Sequence, residues 1–308
     1  MKYQYRHLEP VKDDILRAYI DKDGYPVMMA GGLYSNIDTW DEFGRELANE
    51  GFEIYLVELT GGPFSEADDA YNYPYEHLID NVIPEYVDFV LDDSGEPKIK
   101  YVGHSNGCRS ALSSINKHSS LSSSPMSKFD TFIGVACPIN LNQDTTYTDT
   151  ARYDLPFTDE PLGPLVLSSF NDKHLTQSDF NIKAESLILL DLTNPLNIAK
   201  KSSAIRGIII LNSFMSNEKI SYNLFNYYIN LAVEEDSQMD VSNLNVDNLV
   251  LINGAPSDFI VPIEDQEYVL DNIDLENSKG HDYISFIGFT DHSNIISWSR
   301  NEIKEELK

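Results

Sequence analysis

The segment YVGHSNGC places Ser105 between Gly103 and Gly107 in a GxSxG pattern. An apolar run precedes the serine and a helix-like stretch follows it, so the serine falls at a strand-to-helix turn, where small flanking residues permit a strained backbone. The pattern predicts that Ser105 is a nucleophile and that the N–H of Asn106, at the helix N-terminus, stabilises an oxyanion. His104 adjoins the serine, and we expect it to be structural because adjacent side chains at a strand end point apart.

A second glycine-containing segment, AGGLYSN, follows the first apolar run of the chain. Gly31 and Gly32 would let the backbone pass close to a reacting carbonyl, and the N–H of Leu33 would be the second oxyanion donor. The same segment is also compatible with an ordinary glycine turn. Taken alone, it leaves both interpretations open.

Two further segments contain candidates for a base and an acid. His292 lies in FTDHSNII, ahead of a C-terminal helix, and imidazole is the usual base for a serine nucleophile. Asp258 lies in NGAPSDFIVP, directly after an apolar run, and we expect it to orient the imidazole. Two other carboxylates compete for this role. We expect Asp265 to be solvated on a helix and Asp291 to cap the final helix.

Six short apolar runs, rich in β-branched and aromatic residues, have the character of buried parallel strands. Helical stretches alternate with several of them, and this alternation predicts a doubly wound, mostly parallel α/β sheet. Only about two dozen residues precede the first run, which leaves little room for extra strands at that edge. The predicted strands are residues 25–30, 52–59, 99–104, 131–137, 248–254 and 283–289.

Two helices are predicted between the first three strands. In the first, Trp40, Phe43 and Leu47 have helical spacing, with Asp38 available as a cap and Gly51 as a stop. In the second, an apolar stripe covers residues 78–90, and Pro84 is expected to kink or break it.

The alternation is lost over residues 138–247, which we predict to be a mostly helical insertion. Residues 1–137 and 248–308 would then form one catalytic core. Two apolar runs in the insertion, SLILLDL and IRGIIIL, are equally compatible with strands. We expect the insertion to cover the carboxyl ends of the strands, where open α/β sheets bind ligands, as a mobile lid or a fixed cap.

Composition excludes several classes of partner. The net charge of −28, from 50 acidic and 22 basic residues spread along the chain, argues against nucleic acid and anionic membrane surfaces. A solvated acidic surface explains this charge, and adaptation to high salt is an alternative. No apolar run resembles a signal peptide or reaches the roughly 18 residues of a membrane span, so we expect a cytoplasmic protein without stable membrane insertion.

The sequence has neither a cluster of metal ligands nor a phosphate-binding GxxxxGK[ST] segment, so no cofactor is expected. Cys108 and Cys137 are the two cysteines. They could pair, but we favour buried free thiols because one follows the serine motif and the other ends an apolar run.

These motifs resemble those of the α/β-hydrolase fold superfamily, of the lipase and esterase type. PVMMAGGLYSNIDTWDEFGRELANEGFEIYLVEL resembles the family's opening strand, oxyanion loop, helix and second strand. YEHLIDNVIPEYVDFVL followed by GHSNG resembles the helix before the nucleophile and the nucleophile turn. The family usually has His-Gly in its oxyanion loop, where this chain has Gly31 and Gly32.

The resemblance implies a serine hydrolase that cleaves small-molecule or lipid esters through an acyl-enzyme, without metal or cofactor. Ser105, His292 and Asp258 would be nucleophile, base and acid. A thioesterase or an acyltransferase could use the same triad. A catalytically silent ligand-binding protein is a further alternative, although such proteins often lose a triad member and this chain has a candidate for each role. The sequence predicts no oligomeric state.

Overall fold

A computed structural model gives the architecture of the chain. It describes most of the predicted core and little of the predicted insertion. The described residues are 9–12, 15–18, 24–32, 35, 37–59, 75–118, 128–139, 174–175, 220–221, 227, 239–242, 244, 246–254, 258, 261, 263–272, 280–285 and 295–308.

The described residues contain a sheet of eight strands in the order β1-β2-β4-β3-β5-β6-β9-β10. The six strands from β4 to β10 in this order are all parallel, as the sequence predicts. Their interiors are buried apolar residues where burial is described, because helices cover both faces. The strands are β1 (Glu9–Lys12), β2 (Ile15–Ala18), β3 (Pro26–Ala30), β4 (Glu53–Val57), β5 (Ile99–His104), β6 (Phe129–Val135), β9 (Asn248–Asn253) and β10 (Gly280–Ser285).

The expectation of little room for strands before β3 is wrong. Strands β1 and β2 pair with each other antiparallel, and β2 pairs antiparallel with β4. Two four-residue strands with a short connection need only about ten residues. They form one edge of the sheet, where charged residues are common, and so they lack the continuous apolar pattern of the buried strands.

Strand β10 begins earlier than the apolar pattern suggests. Its first residues, Gly280 and His281, pair with Asn248 and Leu249 of β9. Backbone pairing extends through polar positions, which an apolar pattern does not detect. The last part of the predicted strand, residues 286–289, lies outside the described residues.

The first predicted helix is α1 (Asp38–Asn49), and it buries Trp40, Phe43 and Leu47. It is followed by Gly51, whose φ of +99° is readily adopted by glycine. Asp38 is the first helical residue, whereas Ile37 occupies the cap position expected for Asp38.

The second predicted helix consists of three consecutive segments: α2 (Tyr75–His77), a π-helical turn (Leu78–Val82) and α3 (Ile83–Ser94). The wider turn comes directly before Pro84. Proline has no N–H for the helical bond to the residue four positions earlier, so the irregularity expected at Pro84 is present.

Helices lie on both faces of the sheet. One apolar cluster joins the sheet to α3 and to α4 (Asn106–His118), and the other joins it to α1 and to α7 (Arg300–Leu307). This arrangement is the predicted doubly wound α/β fold. The remaining helices are α5 (Ile263–Asn272) and α6 (Ile295–Trp298). Within the part of the chain that the structure describes, no helix is both long and apolar enough to cross a bilayer.

The predicted insertion lies largely outside the described residues. Its described parts include a short antiparallel pair, β7 (His174–Leu175) and β8 (Ile220–Ser221). The mostly helical character of residues 138–247, and the division of the chain at these boundaries, stay predictions.

Candidate active site

Ser105 is the single residue between the end of β5 and the start of α4. Its φ is +50°, in the left-handed region that residues other than glycine seldom adopt. The Ser105 N–H donates to the carbonyl of Val135 at 2.9 Å, which ties the turn to the end of β6. Backbone strain of this kind is concentrated at functional sites, where surrounding contacts maintain it.

The two glycines of the motif allow close backbone contacts around this turn. A Cβ atom at Gly103 would lie 2.7 Å from the backbone nitrogen of Cys108. One at Gly107 would lie 2.6 Å from the carbonyl oxygen of Ala30 and 2.7 Å from that of Gly31. Helix α4 therefore starts directly against the end of β3, at a distance that only glycine permits.

The segment after β3 also contacts the serine turn. A Cβ atom at Gly32 would lie 2.9 Å from Nδ1 of His104 and 3.1 Å from Cβ of Ser105. The Gly32 carbonyl accepts hydrogen bonds from the Ser35 N–H at 3.2 Å and its Oγ at 3.0 Å. Leu33, the predicted second oxyanion donor, lies outside the described residues.

Asn106 is the first residue of α4 and is buried. Its side-chain Oδ1 accepts a hydrogen bond from Ser110 Oγ at 3.1 Å, one turn further along the helix. Backbone amides at a helix N-terminus stabilise negative charge, so this position suits the predicted oxyanion donor.

Asp258 follows β9 and is only 4% exposed. Its Oδ1 accepts the N–H of Val261 at 3.0 Å, and its own N–H donates to the carbonyl of Gly254 at 3.2 Å. Asn253 Nδ2 donates to the carbonyl of Val261 at 3.1 Å, which closes the loop further. Hydrogen bonds therefore tie the Asp258 carboxylate to Val261 and its backbone to Gly254.

Ser105 and Asp258 lie at the same edge of the sheet. Strands β5, β6 and β9 are parallel neighbours. Beyond their ends, the Ser105 N–H bonds to Val135 and the Ala136 N–H donates to the carbonyl of Ile252 at 2.8 Å. The two residues thus follow strands that are separated by one strand, β6.

The predicted base and one competing acid lie outside the described residues: His292 and Asp291. Strand β10 is parallel to β9, and its last residue, Ser285, pairs with Asn253. The chain therefore leaves β10 at the edge where Ser105 and Asp258 lie. Asp265 belongs to α5, as predicted, and its side chain is outside the described part.

The expectation of free thiols is wrong, because Cys108 and Cys137 form a disulfide. It joins the first turn of α4 to the residue after Ala136, at the end of β6. Their Cα atoms are 5.4 Å apart, a spacing that suits a disulfide. Spacing along the sequence does not reveal the pair, because it depends on the close packing of α4 against β6.

Two buried side chains outside the predicted site residues also link α4 to its neighbours. The Tyr101 hydroxyl donates to the carbonyl of Gly107 at 2.7 Å. Arg109 Nη1 donates to the carbonyls of Pro138 at 2.6 Å and Ile139 at 2.8 Å. Arg109 therefore fixes the start of the predicted insertion to the helix that follows Ser105.

Tyr227, within the predicted insertion, packs on the core. Its ring stacks on Tyr75 with centroids 3.9 Å apart. Burial raises the pKa of Tyr227 well above its ordinary value, and the nearby Tyr75 adds to this, while the adjacent Arg109 partly offsets it. The insertion thus contacts α2 and α4 at this point.

Comparison with known proteins agrees with this geometry. A family model described as the alpha/beta hydrolase fold matches residues 25–125. The human lysosomal acid lipase/cholesteryl ester hydrolase is 26% identical over 102 residues, in a match that covers 28% of this chain and 26% of the relative. Human lipase member M is 25% identical over 95 residues, in a match that covers 26% of this chain and 22% of the relative. The chain thus matches about a quarter of the length of these relatives.

Solved structures match over nearly the whole chain. An esterase from Rhodococcus sp. ECU1013 has a TM-score of 0.56 at 14% identity, with 94% of this chain and 93% of that chain covered. The thioesterase domain from the curacin biosynthetic pathway has a TM-score of 0.55 at 15% identity, with 99% of each chain covered.

Identities this low establish the fold and leave the reaction open. The strained serine turn, the parallel sheet and these matches together show that the chain has the α/β-hydrolase fold and is similar to lipases and esterases.

Proposed function

We propose that this protein is a serine hydrolase that cleaves carboxylic esters. The observation that carries the proposal is the position of Ser105, which is strained at the β5–α4 turn with the Gly32 backbone packed against it. A nucleophile beside a backbone loop and a helix N-terminus is the arrangement that acyl transfer requires. The family model of the alpha/beta hydrolase fold matches residues 25–125, which include this turn, and the similarity to lipases supports the same chemistry.

In the proposed mechanism, His292 takes the proton of Ser105 as the hydroxyl attacks the ester carbonyl. The N–H groups of Asn106 and Leu33 hold the negative oxygen of the tetrahedral intermediate. Asp258 orients the imidazole and stabilises its charged form. His292 then protonates the leaving alcohol, and water repeats the sequence on the acyl-enzyme to release the acid.

The insertion, residues 138–247, would contribute to the acyl site. Arg109 fixes its first residues to α4, the helix that starts beside the proposed nucleophile. Tyr227 stacks on the ring of Tyr75 in α2, so the insertion has a second anchor there. Its apolar content favours an acyl chain over a strongly polar substrate. We propose a cap over the carboxyl edge of the strands, fixed at these anchors.

The proposal is tested by hydrolysis of p-nitrophenyl esters, from acetate to palmitate, by the purified protein. Ser105→Ala should reduce turnover by several orders of magnitude. Ser114→Ala is a matched control, because this buried serine lies on the same helix and donates to the carbonyl of Ile79 at 2.6 Å. It should lose some stability and keep its turnover. Equal turnover in wild type and Ser105→Ala would contradict the proposal.

A thioesterase would use the same residues with a sulfur leaving group. The fold similarity to a thioesterase domain is the reason to test thioester substrates as well. Matched acyl esters and acyl thioesters should be compared in the same assay. The thioesterase is favoured if kcat/KM is at least about tenfold higher for the thioester than for the ester. This ratio corresponds to about 1.4 kcal/mol in transition-state binding.

The sequence-based expectation of a cytoplasmic location meets one opposing observation. Disulfides such as Cys108–Cys137 persist in oxidising compartments and are rare in the cytosol. Trapping thiols in freshly broken cells and counting modified cysteines distinguishes the two locations. A reduced pair in the native host favours the cytoplasm, and an oxidised pair favours an exported protein.

A further inference from the structure

A buried carboxylate lies beside the candidate active site without a place in the proposed triad. Glu58 directly follows β4 and is only 2% exposed. Val57, the last residue of β4, pairs with Ala30, the last residue of β3. Glu58 and Gly31 therefore leave neighbouring parallel strands at the same edge of the sheet. Burying a carboxylate is costly unless hydrogen bonds or positive potential compensate for it.

That compensation comes from the N-terminus of α1. Glu58 Oε2 accepts the N–H of Ile37 at 2.9 Å, and Ile37 occupies the cap position of this helix. A carboxylate at a helix N-terminus satisfies an amide and interacts favourably with the helix dipole. A residue 21 positions away along the chain thus takes the role that a local side chain usually has.

Glu58 is itself held from another direction. The hydroxyl of Tyr86, a buried residue of α3, donates to the backbone carbonyl of Glu58 at 2.8 Å. The carboxylate therefore extends from a backbone position that is fixed both to the sheet and to α3. Glu58 thus contacts helices on opposite faces of the sheet, α1 through its carboxylate and α3 through its backbone carbonyl.

The hydrogen bond to Ile37 fixes the far end of the segment that contacts Ser105. The described residues of this segment, which spans residues 31–37, begin at Gly31 directly after β3 and contact the serine turn at Gly32. The segment is turned by the Ser35 bonds to the Gly32 carbonyl and ends at Ile37. Strand β3 fixes the first end, and Glu58 fixes the second.

We propose that Glu58 is a positioning residue for the oxyanion loop, residues 31–37. It acts through Ile37 and does not touch the substrate. Since the donor assigned to Leu33 lies within this loop, loss of the anchor should weaken binding of the transition state more than binding of the substrate. This inference rests on the proposed function, because it concerns the oxyanion site of that reaction.

The test uses the full chain with two substitutions at Glu58 and the same two at a matched position. Glu58→Met has a similar length and removes the acceptor, whereas Glu58→Gln keeps an amide oxygen that can accept the Ile37 N–H. Glu53 is the control, because it is a buried glutamate at the opposite end of β4. The charge of Glu53 lies near Tyr55, since burial and this charge both raise the pKa of the Tyr55 hydroxyl.

The readouts separate positioning from folding. Active sites are titrated first, so that kcat refers to folded protein. Glu58→Met should lower kcat by about 10- to 100-fold with KM within about threefold, the scale expected for a small misplacement of catalytic groups. Inhibition constants for an alkyl trifluoromethyl ketone, which forms a tetrahedral adduct, should rise by a similar factor. Glu58→Gln should recover kcat to within about threefold of wild type.

Both Glu53 variants should keep kcat within about twofold of wild type, with any loss confined to stability. A kcat in Glu58→Met that equals that of Glu53→Met would overturn the inference, as would an unchanged trifluoromethyl ketone constant. If Glu58→Met does not fold, Glu58→Asp replaces it in the test, because the shorter side chain places the carboxylate one methylene farther from the Ile37 N–H. An unchanged kcat in Glu58→Asp would also overturn the inference. A wild-type protein that cleaves no ester would instead contradict the proposed function.

Discussion

Gly32 lies directly against Ser105, so that a Cβ atom at Gly32 would be 3.1 Å from Cβ of the serine. The two residues are distant in sequence and meet because β3 and β5 are parallel neighbours that end at the same edge. The contact supports the interpretation of AGGLYSN as an oxyanion loop over that of an ordinary glycine turn, because a turn alone has no need to approach the proposed nucleophile.

Gly32→Ala should reduce kcat by about tenfold or more, because the new methyl group has to displace the loop or the serine turn by a few tenths of an ångström. The measurement is kcat on an activated ester, corrected by active-site titration. Gly44→Ala is the matched control: its Cβ would be 3.2 Å from Ile54 Cγ2 in the packing of α1 on β4. An equal loss of kcat in both variants would show that Gly32 has no special relation to the site.

Asp258→Asn should lower turnover by up to roughly 10³- to 10⁴-fold, the scale seen when a catalytic imidazole loses its orienting carboxylate. Asp265→Asn and Asp291→Asn should cost far less, and chiefly in stability. Turnover of the three variants is compared after circular dichroism has checked their folding. Near-normal turnover in Asp258→Asn would overturn the assignment of the acid.

Removing the Cys108–Cys137 disulfide should lower the free energy of unfolding by about 3.6 kcal/mol, as expected for a sequence separation of 29 residues in the chain-entropy account. Urea unfolding of wild type, with and without a dithiol reductant, measures the difference. The Cys108→Ala/Cys137→Ala double variant should resemble reduced wild type and be insensitive to reductant. Identical midpoints for oxidised and reduced wild type would refute this expectation.

Activity should rise with pH, because only a neutral imidazole can take the proton from Ser105. Protonation at low pH removes the base, so kcat/KM should increase as His292 loses its proton and then level off. Stopped-flow measurements on an ester with a good leaving group check the profile. A flat profile from about pH 5 to 8, with chemistry rate-limiting, would exclude an imidazole base.

The sequence predicts the part of the fold that depends on local patterns. The apolar runs predict all six parallel strands, and the five of these strands whose burial is described are almost wholly buried. The GxSxG spacing predicts the strained turn at Ser105, since a tight strand-to-helix junction needs small neighbours. Trp40, Phe43 and Leu47 predict α1 because helical spacing places them on one buried face.

Features that depend on contacts across the fold are not visible in those patterns. Asp38 is the local candidate for capping α1, yet Glu58 accepts the cap-position N–H because β4 ends beside this helix. Cys108 and Cys137 meet only because α4 packs against β6. The hairpin of β1 and β2 lacks an apolar run, and its outer strand, β1, has no neighbouring strand on one side among the described residues.

A fluorophosphonate probe tests most directly whether Ser105 is an activated nucleophile. Reaction with this probe requires an ionisable serine hydroxyl and an oxyanion site together. Peptide mapping of the labelled, folded protein should place one adduct on Ser105, with no labelling of Ser105→Ala and normal labelling of Ser114→Ala. Labelling at another serine, or none in protein that hydrolyses esters, would contradict this role of Ser105.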